Sequence, residues 1–393
     1  MPTNGASTPE SIVRPRMPEL DTVRGIAILL VLFFHGFGGI SYQTVARPHW
    51  QRIFLLVTRQ GWVGVNLFFV LSGFLITGIL LDSVGEARYY RRFYWHRALR
   101  ILPAYYLMLA ILLIANYNLE SSFHDTLAYV GLSTVYLSNL APLFGVFMVY
   151  PLLWSLSVEE HFYLLWPTVV RIFSRKGVAI VAGAICVIEP VLRLLALSTG
   201  RQLWWSGVNH GGSFSYTWMT ADGLALGALL GLFARSAWGR RDNFRKVAAI
   251  AAMVAVAGTA GSFLLPDFAG LVLRDTLVNY FALAIVAGAL WVGTGKHRGW
   301  VNVRVLSFYG FISYGLYLVH GWVFAMYVIL LGKFAPGLLP GSSFGRSWID
   351  FLVCAGVATS LAYASRITYE QFFLRLKDRR PRAANVKRAV ATI

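Results

Sequence analysis

Charge is what this sequence has least of. Only 13% of its 393 residues are charged, and 17 Asp and Glu face 35 Lys and Arg. Soluble domains carry about a quarter charged residues, so this composition excludes an ordinary soluble enzyme. Cysteine is nearly absent too. Cys186 and Cys354 both sit in apolar runs, which excludes a disulfide framework and offers no metal site. No internal repeat is found, and no low-complexity sequence outside two polar tails. The first apolar segment follows Arg14, Arg16 and Arg24 and starts like a signal peptide. It lacks a small-residue cleavage site and reads as an uncleaved first helix.

Hydrophobic residues fill the space, at 57% of the chain. So much apolar surface needs hydrocarbon as its solvent, and the expectation is an all-α polytopic membrane bundle with the lipid bilayer as its first partner. The net charge of +18 would suit nucleic acid. The basic residues fall in short clusters between apolar runs, however, which is the pattern of membrane topology. No nucleic-acid partner is expected.

Runs long enough to span begin near residues 20, 61, 98, 152, 177, 216, 247, 276, 306 and 348. Each is about 18 to 25 residues, as a bilayer demands. The stretch 127–147 is ambiguous. As an eleventh span it would put the basic "RIFSRK" loop (171–176) outside, so a re-entrant or surface element is the preferred reading. Ten spans with both termini cytoplasmic place 27 of the 35 Lys and Arg inside. Seven fall outside (Arg47, Arg52, Arg59, Arg201, Arg274, Lys333 and Arg346), and Arg193 lies within the fifth span. This bias fits the positive-inside rule and a cytoplasmic (inner) membrane location. Three parts follow: an N-terminal tail at 1–18, a transmembrane domain at 19–372, and a basic C-terminal tail at 373–393. The short outer loops lead to the expectation that no extracellular domain is fused to the chain.

Ionisable residues in hydrocarbon are costly and mark function or a wet path. In "LDTVRGIAILLVLFFHGF", Arg24 stands at the cytoplasmic mouth. His35 follows 11 residues later, roughly 16 Å deeper and about 20° around the helix, so Asp21, Arg24 and His35 share a face. In "WSLSVEEHFYLLWP", Glu159 enters from the other side, roughly 10 Å below the outer surface. His35, Glu159 and His320 of "ISYGLYLVHGW" come out at similar depth. On the cytoplasmic side "YYRRFYWHRALRILP" gathers Arg91, Arg92, Arg97 and Arg100, with Arg97 and Arg100 on one helix face. Arginine forks suit phosphate oxygens.

Each candidate has a plainer reading. The arginine cluster alone would more often be positive-inside anchoring, about two times in three; its place at a helix start favours a ligand. A lone intramembrane His is as often helix glue as chemistry. Glu159 and Glu160 point about 100° apart, so one faces a cavity; Glu159 is preferred there and Glu160 is read as structural. Glu189 and Arg193, spaced i, i+4, are read as neutralising each other. Asp222 is placed at the outward cavity rather than in helix packing. The small residues of "GWVGVNLFFVLSGFLITGILL" serve close packing, with Ser72 and Asn66 as polar contacts. Trp204, Trp205 and Trp218 suit interface anchoring better than sugar stacking.

Five segments, "LDTVRGIAILLVLFFH", "GVNLFFVLSGFLI", "FYWHRALRILPAYY", "WSLSVEEHFYLLWP" and "ISYGLYLVH", resemble in order the signatures of the acyltransferase-3 membrane family. The closing "SRITYEQFFLRL" resembles its last helix. The resemblance implies transfer of an acyl group, often acetyl from acetyl-CoA, to hydroxyls of carbohydrates, lipid-linked sugars or related acceptors. It implies a catalytic role for His35 with Glu159 and Glu160, and donor binding by Arg24, Arg97 and Arg100, with Arg92 added from the cluster. Ser72, Asp222 and His320 are the substrate-contact candidates, and no metal is implied. His161 departs from the family's usual Gln, and Gln371 from a frequent Pro. Without the extracellular domain that many members carry, this chain is expected to act alone or to pass its acyl group to a separate acceptor.

The layout suits that chemistry. Acyl-CoA is cytoplasmic and glycans face outward, so a phosphate-binding inner mouth must lead to a base that meets an outer hydroxyl. A placed base contributes about 10²- to 10⁴-fold, histidine titrates near neutrality, and Glu159 would orient its imidazole. Direct transfer and an acyl-histidine route both stay open, as do acyl-chain length, acceptor identity and oligomeric state. The rival readings are a proton-coupled secondary transporter, with His and Glu as a relay, and a structural or sensing protein. The missing repeats and the ordered signatures argue against the transporter, and consumption of acyl-CoA separates both rivals from the enzyme.

Overall fold

In hydrocarbon every backbone polar group must be satisfied within its own segment, so each apolar run has the helix as its stable form. The computed structural model describes residues 12–38, 48–117, 120–198, 215–265, 267–335, 337 and 343–376. Among them stand thirteen α-helices and no strand. They are α1 (Pro18–Phe37), α2 (His49–Arg59), α3 (Val63–Ser83), α4 (Tyr89–Asn116) and α5 (Glu120–Thr134). Then come α6 (Leu153–Ile172), α7 (Arg175–Ser198), α8 (Asp222–Ala234) and α9 (Arg241–Ser262). The last four are α10 (Asp267–Gly293), α11 (Arg304–Phe334), α12 (Phe344–Ile367) and α13 (Tyr369–Arg375). The chain is an all-α polytopic membrane bundle. Arg47, Arg201, Trp204, Trp205 and the tail residues 1–11 and 377–393 lie outside the described residues.

All ten apolar runs are helical, but they are not equal. Eight helical stretches among the described residues are long and apolar enough to cross a membrane. The other two are α6, which carries Glu159 and Glu160, and α8, whose 13 residues rise only about 20 Å. Ten of the 13 residues of α8 are buried, so it is a core helix enclosed by protein. The stretch 127–147 does not span. α5 ends in a Schellman motif, with Leu137 N–H donating to Leu132 O and Tyr136 N–H to Ser133 O. Tyr136 takes the left-handed φ of 60° that glycine usually fills there, and its ring stacks on Tyr105 at 4.3 Å. A short 3-10 helix, Ser138–Phe144, follows.

Small residues set the closest helix contacts. A Cβ on Gly73 of α3 would stand 1.9 Å from the Leu224 carbonyl oxygen, and one on Gly227 of α8 2.1 Å from that of Val70. The two backbones therefore touch directly, the arrangement anticipated for the glycine-rich run. α1 and α11 run parallel: Thr22 bonds Ser307 and His35 meets His320, both at a separation of 285 residues.

Beside this seam, Arg193 of α7 pairs with Asp222 at 2.6 Å and also donates to Thr276 Oγ1 and Met219 O. Glu189 accepts the Asp222 backbone N–H at 2.7 Å. Glu189 and Arg193 thus belong to a wider network across α7, α8 and α10, with Asp222 as the closest carboxylate of Arg193. Asp222 leaves the list of cavity contacts for the same reason: both of its carboxylate oxygens are taken, by Arg193 and Asn279.

Candidate active site: two cavities back to back

The first cavity, of about 110 Å³, lies where α1, α3, α4, α6 and α11 converge. Arg24, Arg97 and Arg100 line it together with Glu159 and Glu160. The sequence brings them there simply. Arg97 and Arg100 project three apart from the first half of α4, and Arg24 sits in the second turn of α1. Arg24 leans on Asp21 at 3.0 Å, and the Arg97 guanidinium lies 4.5 Å over the Tyr163 ring. Tyr163 donates to Glu159 at 2.8 Å and takes a hydrogen bond from Ser72. Ser72, Tyr163 and Glu159 thus form one polar wall facing three cations. Both glutamates line the cavity although they point about 100° apart. Among the described residues Glu160 has no hydrogen-bond or ion-pair partner.

The second cavity is larger, about 620 Å³, and lies further along the bundle axis. Val31, Phe34 and His35 of α1 line it, with Asn66 of α3. Arg59, Trp62, Trp154, Arg274 and Asp275 line it too. The two cavities share three lining residues, Val65, Phe69 and Tyr317, which form the wall between them. Tyr317 is pinned in that wall by Ser155 Oγ at 2.6 Å and Leu152 O at 3.2 Å.

His35 is half-buried at the second cavity. Its Nδ1 lies 2.9 Å from Val31 O, the carbonyl one turn back, so Nδ1 carries the proton. His320 is fully buried and bonds Leu316 O in the same way. Its Nε2 therefore bears a lone pair, which faces His35 Nδ1 at 3.3 Å. His35 is left with a basic Nε2. His320 stands behind His35 and lines neither cavity.

Three placements correct the expectations. Glu159 does not meet His35; it stands on the arginine side of the wall. The depth count failed because α6 begins inside the bundle. Leu153 is fully buried, and Tyr150 just before it donates to Leu318 O and accepts from Trp322 N–H, at the level of His320. Six residues further on, Glu159 lies roughly 9 Å deeper. Arg92 points away from the cavity and pairs with Glu86 at 2.5 Å on the exposed surface. His320 contacts His35 in place of a substrate. His161 bonds Thr217 at 2.6 Å and stays outside both cavities. Sequence reasoning missed Tyr163, Tyr314 and Tyr317, which look like belt aromatics until their hydroxyls are placed. It also missed the adjacent charges Arg274 and Asp275 inside an apolar run, where the signal was plain. Among the described residues, no group of three or more His, Cys, Asp or Glu could hold a metal ion.

The family profile described as an acyltransferase domain, acyltransferase-3, matches residues 17–366. Peptidoglycan O-acetyltransferase OatA of Listeria monocytogenes is 29% identical over 174 residues, 41% of this chain and 25% of that protein. YrhL of Bacillus subtilis, which carries a provisional peptidoglycan O-acetyltransferase name, is 32% identical over 186 residues, 44% of this chain and 27% of its own length. A Staphylococcus aureus protein provisionally named an O-acetyltransferase is 26% identical over 351 residues, 82% of this chain and 53% of its own length. The chain spans about half the length of the last relative and about a quarter of the first two. No solved structure gives a match. With a match over nearly the whole described bundle, the chain belongs to the acyltransferase-3 family.

Proposed function

We propose that this protein is an integral-membrane O-acyltransferase. It takes an acyl group, acetyl in the simplest case, from acyl-CoA on the cytoplasmic side of the plasma membrane. It passes that group to a hydroxyl of a carbohydrate or lipid-linked sugar on the other side. One observation carries the reading: a three-arginine cavity and a histidine-bearing cavity stand back to back across a wall three side chains wide. Arg24, Arg97 and Arg100 are the donor ligands in this scheme, as charge-assisted forks for phosphate oxygens. His35 is the base. Its Nε2 takes the proton of the acceptor hydroxyl as the oxygen attacks the thioester carbonyl, the C–S bond breaks, and CoA leaves as thiolate. His320 holds His35 in the Nδ1–H tautomer, the orienting role that Glu159 was expected to fill. Glu159 and Tyr163 belong to the donor side. The O-acetyltransferase names of the relatives support the reaction class and a glycan acceptor.

The test is binding of a non-hydrolysable acetyl-CoA analogue to the purified protein, together with turnover per folded molecule. Arg97→Ala with Arg100→Ala should weaken donor binding by about 1.5–3 kcal/mol per lost charge-assisted bond. His35→Ala should keep donor binding and lose about 10²-fold or more in turnover. A folded protein that ignores the analogue, or a His35→Ala variant with near-normal turnover, would sink the reading.

A further inference from the structure

The second cavity has a chemistry that the transfer reaction alone does not require. At about 620 Å³ it falls within the roughly 300–1,000 Å³ typical of ligand sites. Two arginines, Arg59 and Arg274, line it with a single carboxylate, Asp275, among the described residues. An arginine in a run as apolar as "LVLRDTLVNY" is costly and needs a reason.

Neutralising Asp275 is a poor reason. Neighbours in sequence do not face each other on a helix, and the contact is a long one, Nε to Oδ1 at 3.4 Å. The guanidinium instead lies 4.9 Å over the Trp62 ring, half-exposed. Among the described residues its two Nη groups have no other partner. Stacking on one side and the Nε contact on another fix the plane of the fork and leave its two-pronged end open. That is the preorganised geometry for a carboxylate or phosphate. Trp154 supplies a flat apolar wall with a polar edge, the kind of surface on which a sugar ring lies. His35 lines the same space.

We propose that the acceptor is an acidic saccharide, and that Arg274, held on Trp62, recognises its carboxylate or phosphate while the ring lies against Trp154. The negative group then anchors the sugar and turns a hydroxyl toward His35. Arg274 is a specificity-determining residue in this scheme. The proposal rests on reading the second cavity as the acceptor side.

Equilibrium binding to the full chain in lipid nanodiscs decides it, independently of turnover. The probes are a hyaluronan tetrasaccharide, a neutral chitin tetrasaccharide of the same length, and glucose 6-phosphate beside glucose. Each acidic probe should bind about tenfold or more tightly than its neutral twin, as expected for one charge-assisted fork. Arg274→Gln should erase that difference, and Arg274→Lys should restore part of it. Binding of the acetyl-CoA analogue in both variants checks that they are folded. If the uronate gains and the phosphate does not, the anion is a carboxylate; the reverse assigns a phosphate. Equal binding of acidic and neutral probes, no binding of either acidic probe, or a preference that survives Arg274→Gln overturns the proposal. If the acidic preference appears while no acetyl group is transferred from acetyl-CoA to any sugar, acidic recognition stands and the acyltransferase reading fails.

Discussion

Two arginines show how little a side chain's identity decides without its surroundings. Arg92 and Arg193 each pair with a carboxylate, at 2.5 Å and 2.6 Å. Arg92 does so in the open, with its side chain 57% exposed, where an ion pair contributes about 0–1 kcal/mol. Arg193 is wholly buried between α7, α8 and α10, so removing Asp222 takes away the carboxylate 2.6 Å from a guanidinium that stays enclosed. Breaking a buried pair costs about 3–5 kcal/mol. Asp222→Ala should therefore lower the thermal unfolding midpoint of the purified protein sharply, with poor expression, while Arg92→Ala should leave it unchanged. The surviving folded fraction of Asp222→Ala should still bind the acetyl-CoA analogue, since Asp222 lines neither cavity. Normal stability of Asp222→Ala would mean that the network contributes nothing; lost donor binding in Arg92→Ala would return Arg92 to the site. Sequence puts Arg92 in a cytoplasmic basic cluster and Arg193 inside a span beside Glu189, but it names the partner of neither. Only the fold separates an exposed guanidinium from one enclosed by three helices.

At the scale of elements, the sequence shows helices well and their starting heights poorly. The ten apolar runs announce themselves by length and hydropathy, and the glycines of "GWVGVNLFFVLSGFLITGILL" announce close packing. Arg97 and Arg100 were placed together correctly because i, i+3 geometry is local and needs no knowledge of neighbours. Glu159 was misplaced because its depth depends on where α6 begins, and Tyr150 and Leu153 fix that start through contacts with α11 that no local pattern reveals. The partners of Arg193 were hidden for the same reason: the i−4 glutamate is visible in sequence, the aspartate on another helix is not. The α3–α8 seam allows a direct test. With the Leu224 oxygen only 1.9 Å from where a Cβ would stand, Gly73→Val forces two backbones apart and breaks the Gly227 contact with Val70 O. Overpacking a core costs about 1–3 kcal/mol or more. The expected result is a lower unfolding midpoint, whereas Gly131→Ala, with no atom within 4 Å of the new methyl, should be neutral. Equal midpoints for the two variants would show that the seam yields freely.

Taken whole, the bundle stacks two rooms along its axis and closes the space between them with Val65, Phe69 and Tyr317. In the proposed reaction a thioester reaches one face of this wall and an acceptor hydroxyl the other. In that scheme the closed wall holds the water of the second cavity back from the thioester and must part for the acceptor oxygen to reach the carbonyl; excluding water suppresses hydrolysis as a side reaction. Phe69 is almost completely buried in the wall, and Tyr317 is hydrogen-bonded to α6 through Ser155 and Leu152. Shortening Phe69 should join the rooms. Phe69→Ala costs about 3–5 kcal/mol of packing, so Phe69→Leu serves as the milder companion. Both should raise release of free CoA from acetyl-CoA in the absence of acceptor several-fold over the parent protein, with the alanine variant higher. Tyr317→Phe keeps the ring and loses only the hydroxyl's ties to α6, so it should raise that release less than Phe69→Ala does. Arg100→Ala should lower it, because the donor no longer binds. Free CoA measured against time, per folded molecule, separates these outcomes. If both Phe69 variants release CoA no faster than the parent while transfer to acceptor continues normally, the wall is not on the acyl path, and the two cavities are not the two halves of one site.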